Sequence, residues 1–459
     1  MLFFITATYN CIFSQTGSIS PSYTNGTEAY IGKVGSDLYY SYWVTESGES
    51  YNYVIGINAA GKESSRVKLA SIAPPNEKRY AFPYNIVDGK VMALAKTFTK
   101  GSLTKLAIKQ FNLESGRAIS GEVDILSKSA EALDKYGMGE VIFSDDRTHM
   151  VIPFIKEDKK AVNLAFAVFN PKGEFEAFHK AELLLTDKSR KIGLPIVSNL
   201  GDIYLTATNY QGAFKYNVLK IGMDGGLKIK ELDLPDEDIK YSILLNNDLL
   251  SITYTYTKDK SFTYIDKYGF VQLDKDLKVL KQKTFDIGTA AGEALGIEAF
   301  IKRKAVANLI PIGTYHRADG SVVIVTQQFL EGINQSGNPI YSGGATVIFV
   351  HEPSLQNCKV RVIKLSQSGI TFSMGSAVQQ RGDDIFFFYN TDYKFGADIE
   401  SDFLMRRLDG NTLAEPIMIL KNSTNNVRTQ PTKFSNDEVF FKTWTDYRKF
   451  AILRVKLPQ

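Results

Sequence analysis

The apolar positions of the chain fall in short runs rather than at helical spacing. Residues 194–234, "LPIVSNLGDIYLTATNYQGAFKYNVLKIGMDGGLKIKELDL", show three nearly continuous apolar runs and then a fourth, "LKIKELDL", in which apolar and charged residues alternate. Runs of this length, bounded by Gly, Asn and Asp, predict four short strands. An unbroken apolar strand is covered on both faces, whereas an alternating strand meets water on one. Lysines on that last strand also keep an exposed sheet edge from pairing with another molecule.

The same unit recurs. Turn signals lie between strand-like runs at Asp37, Asp88, Asp145, Asp202, Asp248, Asp319, Asp383 and Asp437, and a second series follows at Gly61, Gly116, Gly173, Gly226, Asp276 and Gly410. From Asp37 to Asp437 is 400 residues in seven steps, about 57 per step, the range in which a period means a propeller or a solenoid. Inner strands flanked by neighbouring blades and an outer strand facing water are what radial blades require. The fold predicted is all-β, an eight-bladed β-propeller of four-stranded blades. Seven blades is the alternative, if two weak units merge. An α/β fold would need helices of ten or more residues between the strands, and the sequence has almost none.

The second strand of several units ends alike: "TATNYQGAF" in the fourth, "TYTKDKSF" in the fifth, "NTDYKF" in the seventh and "TWTDYRKF" in the eighth. Alternating Thr suits a pleated strand and Asn or Asp starts the turn, so these copies read as one repeated structural position. The last unit supplies only three strands, and residues from Gly17 to Tyr23 are available to complete it. Such closure removes the open edges of the ring.

Residues 1–15, "MLFFITATYNCIFSQ", carry no charge and read as a secretory signal, with a buried first strand as the alternative. Residues 16–459 then form a single propeller domain. With 54 Lys and Arg against 50 Asp and Glu, scattered along the chain, nucleic acid is not an expected partner. No run approaches the roughly 18 apolar residues of a membrane helix. Once residues 1–15 are removed, Cys358 is the one thiol left.

Candidate chemistry is sparse. The four histidines, His149, His179, His316 and His351, share no metal-ligand spacing, so neither a metal nor another cofactor is expected. The pairs Asp145–Asp146 and Asp383–Asp384 sit in predicted tight turns and read as structural. Two inserts break the pattern at the sixth unit: residues 288–308, with a helical spacing of Ile297, Ile301 and Ala305 and a Glu298–Lys302 pair, and residues 330–344. In a four-stranded meander both emerge on one face, and long loops on a rigid scaffold are where binding concentrates. The expected partner surface is Phe300, Ile301 and Tyr341 as apolar anchors with Lys302, Arg303 and Lys304 as a basic rim.

These units resemble β-propeller repeats generally, and "TWTD" at Thr443–Asp446 is similar to a single YWTD receptor repeat. The signal-like start ending in "FSQ", the Lys-, Asn- and Tyr-rich chain and its plain blades resemble a Gram-negative envelope protein. In size and kind the chain is similar to the Plug subunit of the type 9 secretion translocon. That resemblance implies a non-enzymatic periplasmic protein closing the inner mouth of an outer-membrane barrel, with a translocon component as protein partner. The terminal "AILRVKLPQ" reads as a blade strand, which fits a component of the machinery better than an exported cargo. The alternative function is a secreted propeller enzyme or lectin acting on glycans through the central channel.

Overall fold

The computed structural model describes residues 17–19, 23–24 and 28–458, other than 47–48, 70–78, 100–101, 129–132, 134–135, 159–160, 171, 173, 184–190, 211–212, 247–248, 258–263, 334–338, 370–374, 395–400, 424–425, 435–436 and 447–448. Residues 1–15, read as a signal, lie outside these. Among the described residues, eight antiparallel sheets of four or five strands follow one another along the chain. We number them 1 to 8; they cover residues 28–68, 79–124, 137–183, 191–232, 240–286, 309–369, 377–423 and 426–456. Within each the principal strands meander in chain order, and sheet 6 adds a parallel fifth strand, Asp392–Lys394. No described helix is long and apolar enough to cross a membrane.

Alternation explains the runs. In sheet 4, Ile203, Leu205 and Ala207 turn toward sheet 3 and pack with Val151, Leu164 and Phe166. Tyr204 turns the other way, onto Ile252, Tyr254 and Val271 of sheet 5. "DIFFFYN" in sheet 7 does the same: Ile385 and Phe387 meet sheet 6, while Phe386 and Phe388 meet sheet 8. Both faces of each second strand are thus buried, which is why the sequence shows no polar alternation there. The outer strand Leu227–Leu232 is exposed over all but its last residue.

Eight apolar clusters join the sheets pairwise in sequence order, and the last joins sheet 8 back to sheet 1 through Phe440, Phe450 and Ile452 against Tyr40, Tyr42 and Ile55. The arrangement is a closed circle of radial sheets, a β-propeller. Its last sheet is completed from the other terminus as expected. Gly17–Ile19 pairs with Val455, Arg454 and Leu453, and Tyr23–Thr24 pairs with Phe450 and Lys449.

At the end where first and second strands turn, basic side chains reach from one sheet to a neighbour. Arg317 donates to the carbonyls of Asp383 and Leu408 at 2.8 and 3.2 Å, tying sheet 6 to sheet 7. Arg381 donates to the carbonyl of Pro458, and Lys220 to that of Lys275 at 2.8 Å. Arg454 forms a buried two-pronged pair with Glu438 at 2.7 and 3.0 Å and donates to Ser36 of sheet 1 at 3.1 Å. The turns themselves follow the residues: Asp88 and Gly89, with φ of 50° and 70°, form a two-residue hairpin whose handedness matches the twist of its strands.

Deleting residues 17–24 removes five strand pairs from the closing sheet. At about 1 kcal/mol for each lost pair, the melting temperature should fall by roughly 5–10 °C. An unchanged melting temperature in a differential scanning calorimetry trace would contradict the closure.

Candidate functional site: the elaborated face of the sixth sheet

Sheet 6 is built differently from its neighbours. Its second, third and fourth strands, Val322–Ile333, Pro339–His351 and Cys358–Gly369, run 12, 13 and 12 residues, against 7 for the second strand of sheet 7. The expected loop over residues 330–344 is therefore a correction: Leu330 pairs with Ser342, Glu331 with Tyr341 and Ile333 with Pro339, so the segment is a projecting hairpin. Its β-favouring Tyr and Ile residues extend the ladder instead of leaving it. The Tyr341 side chain lies outside the described part.

The motif "NTDYKF" also departs from expectation. The strand of sheet 7 ends at Asn390, and Asp392–Lys394 crosses to pair in parallel with Ser366, Gln367 and Ser368 as a fifth strand of sheet 6. Gln367 fastens the crossing, its amide donating to Asn390 O at 2.7 Å. The copies in the fourth and fifth units behave alike, whereas the buried Thr443 Oγ1 of the eighth has no hydrogen-bond partner among the described residues. Thr253 bonds Thr314 at 2.7 Å, Thr255 donates to Leu309 O at 2.9 Å and Thr206 to the Tyr241 hydroxyl at 3.1 Å. Each such hydroxyl links a second strand to the first strand of the next sheet.

The insert over residues 288–308 folds as two short helices, α1 (Ala290–Leu295) and α2 (Glu298–Arg303), rather than one. Gly296 adopts φ 73° and caps α1 by donating to Gly292 O and Glu293 O, which turns the chain before Ile297. At Gly292 a Cβ would lie 2.6 Å from Ile301 N, so only glycine lets the helices meet. Past α2, Val306–Ala307 pairs with Tyr264–Ile265 of the preceding unit as a separate two-stranded sheet. Gln328 donates its amide to Ala307 O at 3.3 Å, and Phe329 N donates to Asn308 O at 3.2 Å.

These contacts redistribute the expected site residues. Phe300 is 7 % exposed and packs with Ile265, Leu295 and Val306, so it roots the insert and offers no anchor to a partner. Ile301 is half-buried beside Gly292. Lys302, Arg303 and Lys304 face solvent. Lys302 pairs with Glu298 at 2.7 Å, and the Arg303 guanidinium lies 4.3 Å over the ring of Tyr264. Tyr264 in turn meets Phe300 edge-on at 6.2 Å. Sequence reading missed Tyr264 because it belongs to the unit before the insert.

The junction of sheets 5 and 6 also holds an aromatic and histidine cluster. Tyr268 stacks on Phe349 at 4.0 Å, and its hydroxyl lies 3.1 Å from His351 Nε2 and 3.6 Å from Cys358 Sγ. His351 stacks on Phe285 at 3.9 Å, and His316 bonds Ser251 Oγ at 3.1 Å. Burial first, and Lys281 second, pull both imidazoles down to about 4. Cys358 is exposed at the edge of this cluster, and desolvation by its neighbours pushes its thiol up. Among the described residues no three His, Cys, Asp or Glu converge on a metal position. The carboxylates of the predicted turns are occupied: Asp384 pairs with Arg407 at 2.8 Å and Asp383 accepts from Ala318 N at 2.7 Å.

No protein-family model matches the sequence, and no curated protein is similar to it in sequence. Solved structures that share its form include the polysaccharide lyase Uly1, 8% identical over 96% of this chain and 100% of its own, with a TM-score of 0.43. The β-propeller domain of Nup133 from Vanderwaltozyma polyspora is 12% identical over 90% of this chain and 99% of its own, with a TM-score of 0.41. The β-propeller domain of the Trilobed protease from Pyrococcus furiosus is 10% identical over 98% and 97%, with a TM-score of 0.38. Likenesses this distant carry nothing about activity.

Two outcomes are expected here. Phe300→Ala should cost about 3–5 kcal/mol of stability, as truncation of a buried aromatic does; calorimetry showing less than 1 kcal/mol would mean that the insert is not rooted in the core. His316 and His351 are neutral in the folded protein down to about pH 4, whereas in the unfolded chain they gain protons below the ordinary value of 6.5. Their contribution is therefore present above pH 6.5 and is lost as pH falls toward 4. The drop in urea-midpoint over that window should shrink in a His316→Gln, His351→Gln variant.

Proposed function

We propose that the chain is an eight-bladed, non-enzymatic propeller of the bacterial periplasm that binds another protein through the elaborated face of its sixth blade. The observation that carries this reading is the insert itself. Phe300 fixes it in the core, while Lys302, Arg303 and Lys304 are held outward on a helix end that cannot swing away. A rigid mount with charged side chains at its tip sets partner choice and encounter rate more than bulk affinity. Beside it, the projecting hairpin of residues 330–344 and the fifth strand extend the same face. The partner proposed is a component of an outer-membrane secretion translocon, whose barrel mouth the propeller would cover.

The glycan-acting alternative would need polar groups converging in the channel or a cleft. A void of about 10 Å³ between sheets 4 and 5, lined by Thr206, Thr208, Tyr216 and Tyr241, has room for one water.

A Lys302→Glu, Lys304→Glu double variant should keep its melting temperature, since both side chains are exposed, and should lose the partner in mild-detergent purification from the native membrane. Replacement of rim charges acts mainly on association, so about a tenfold slower on-rate is expected with purified partner. Undiminished co-purification would move the interface off this face. N-terminal sequencing of the native protein should begin near Thr16; retention of Met1 would contradict export.

A further inference from the structure

The outer edge of sheet 4 is open and carries a ridge of exposed apolar side chains. Leu227–Leu232 is the last strand of that sheet, and among the described residues it pairs on one side alone, with Phe214–Ile221. All of it but Leu232 is exposed. Leu227 and Ile229 lie opposite Ile221 and Leu219, which pack toward sheet 3, so they share that face; they are 38 % and 54 % exposed. Lys228 and Lys230 stand on the other face, opposite Lys220 and Val218. Among the described residues the one other exposed large apolar residue on an outer strand is Leu280, in the adjacent sheet 5. In sheet 1, by contrast, the exposed positions of the outer strand are Ser64, Arg66 and Lys68.

The backbone of this edge is available as well. Gly222 N donates to Gly226 O at 2.9 Å, and alternation along the antiparallel ladder from that bond turns the N–H and C=O groups of Leu227, Ile229 and Glu231 outward. An outer edge of this ring does accept a further strand, since Asp392–Lys394 lies along Ser366–Ser368 of sheet 6.

A second copy of the chain does not fit here. Two copies paired about a two-fold axis set equal charges directly opposite in every central register. Centred at Lys228, Lys230 or Glu231, that residue meets itself, and centred at Ile229, Lys228 meets Lys230. Like charges directly opposite destabilise a strand pair. Lys228 is shared with Asp276 at 2.8 Å in an exposed pair, and among the described residues Lys230 has no ion pair.

We propose that the outer edge of sheet 4 binds an extended segment of another protein by strand addition, and that this segment alternates apolar residues with Asp or Glu. Its apolar side chains meet Leu227 and Ile229, and its carboxylates meet Lys228 and Lys230 on the other face. The two lysines thus turn away a second copy and admit an acidic strand.

The test is fluorescence anisotropy of a labelled, terminally blocked eight-residue peptide of alternating Val and Glu, titrated with the whole protein. One control peptide alternates Val and Lys, and a second holds the Val and Glu residues of the first in two separate blocks. The alternating Glu peptide should bind and neither control should. The amides of Leu227, Ile229 and Glu231 should exchange more slowly with solvent in the complex. Lys228→Glu with Lys230→Glu, both at exposed positions, should keep the fold, weaken binding of the Glu peptide about tenfold and admit the Lys peptide. Ile229→Pro removes one outward donor at an edge, where proline is tolerated, and should abolish binding. Absence of binding, equal binding of the block peptide, or a charge-swapped variant that keeps the original preference would overturn the proposal. So would sedimentation showing that the protein alone is a dimer which Ile229→Pro dissociates, since a second copy would then fill the edge.

Discussion

Everything in this molecule depends on a sheet that cannot be left bare on either face. The second strands of sheets 4 and 7 carry large apolar residues on both sides, so each needs a neighbour to its left and to its right. Stacking alone would leave two bare faces at the ends of the array. Bending the array into a ring removes both at once, with Phe440 and Ile452 against Tyr40 and Ile55 as the joint. The strand taken from the N-terminal end then does for hydrogen bonds what those residues do for apolar area.

Once packing fixes the ring, polar groups divide its two ends. Toward the ends of second strands, hydroxyls such as Thr206, Thr253 and Thr255 cross to the next first strand, neutral bonds that tolerate small shifts. At the turn end the links are charged and long: Arg317, Arg381 and Arg454 reach carbonyls of a neighbouring sheet. Charge-assisted bonds are about twice as strong as neutral ones and more directional. The stapled end is thus the rigid one, and growth of the chain is confined to the other, where a longer hairpin or an added helix displaces no arginine.

How far this was legible follows from the range of the interactions. The strands, seven of the eight turn positions and the closing strand could be read because alternation and turn chemistry are local; the eighth, Asp248, lies outside the described residues. The helix over residues 288–308 was read too long because the spacing of Ile297, Ile301 and Ala305 outweighed Gly296, whose left-handed conformation divides it. Phe300 was taken for an anchor since a lone aromatic in a helix does not announce which side it faces; only its contact with Tyr264, from another unit, decides. The parallel pairing of Asp392–Lys394 with Ser366–Ser368 has no sequence signature, because parallel partners need not resemble each other and a crossing between sheets breaks the period. Arg147 was passed over inside a turn motif whose aspartates drew attention, although a positive φ at a long cation is the feature that separates it from the other turns.

Three of these misses have one physical cause. Each concerns a residue that leaves its own unit: Phe300 to the preceding sheet, Asp392 to the sheet before it, Arg147 two sheets away. A repeat specifies what happens within a unit and at its immediate faces, and it is silent about departures. A closed ring is stable through its repeating contacts, so departures are not needed to hold it together, and a part-buried arginine with no carboxylate among the described residues adds a desolvation cost. Residues that break the period at a cost, or without need, are therefore where a propeller of this kind carries what is particular to it. In this chain they fall at both ends of the barrel-like ring, the sixth sheet on one side and Arg147 on the other.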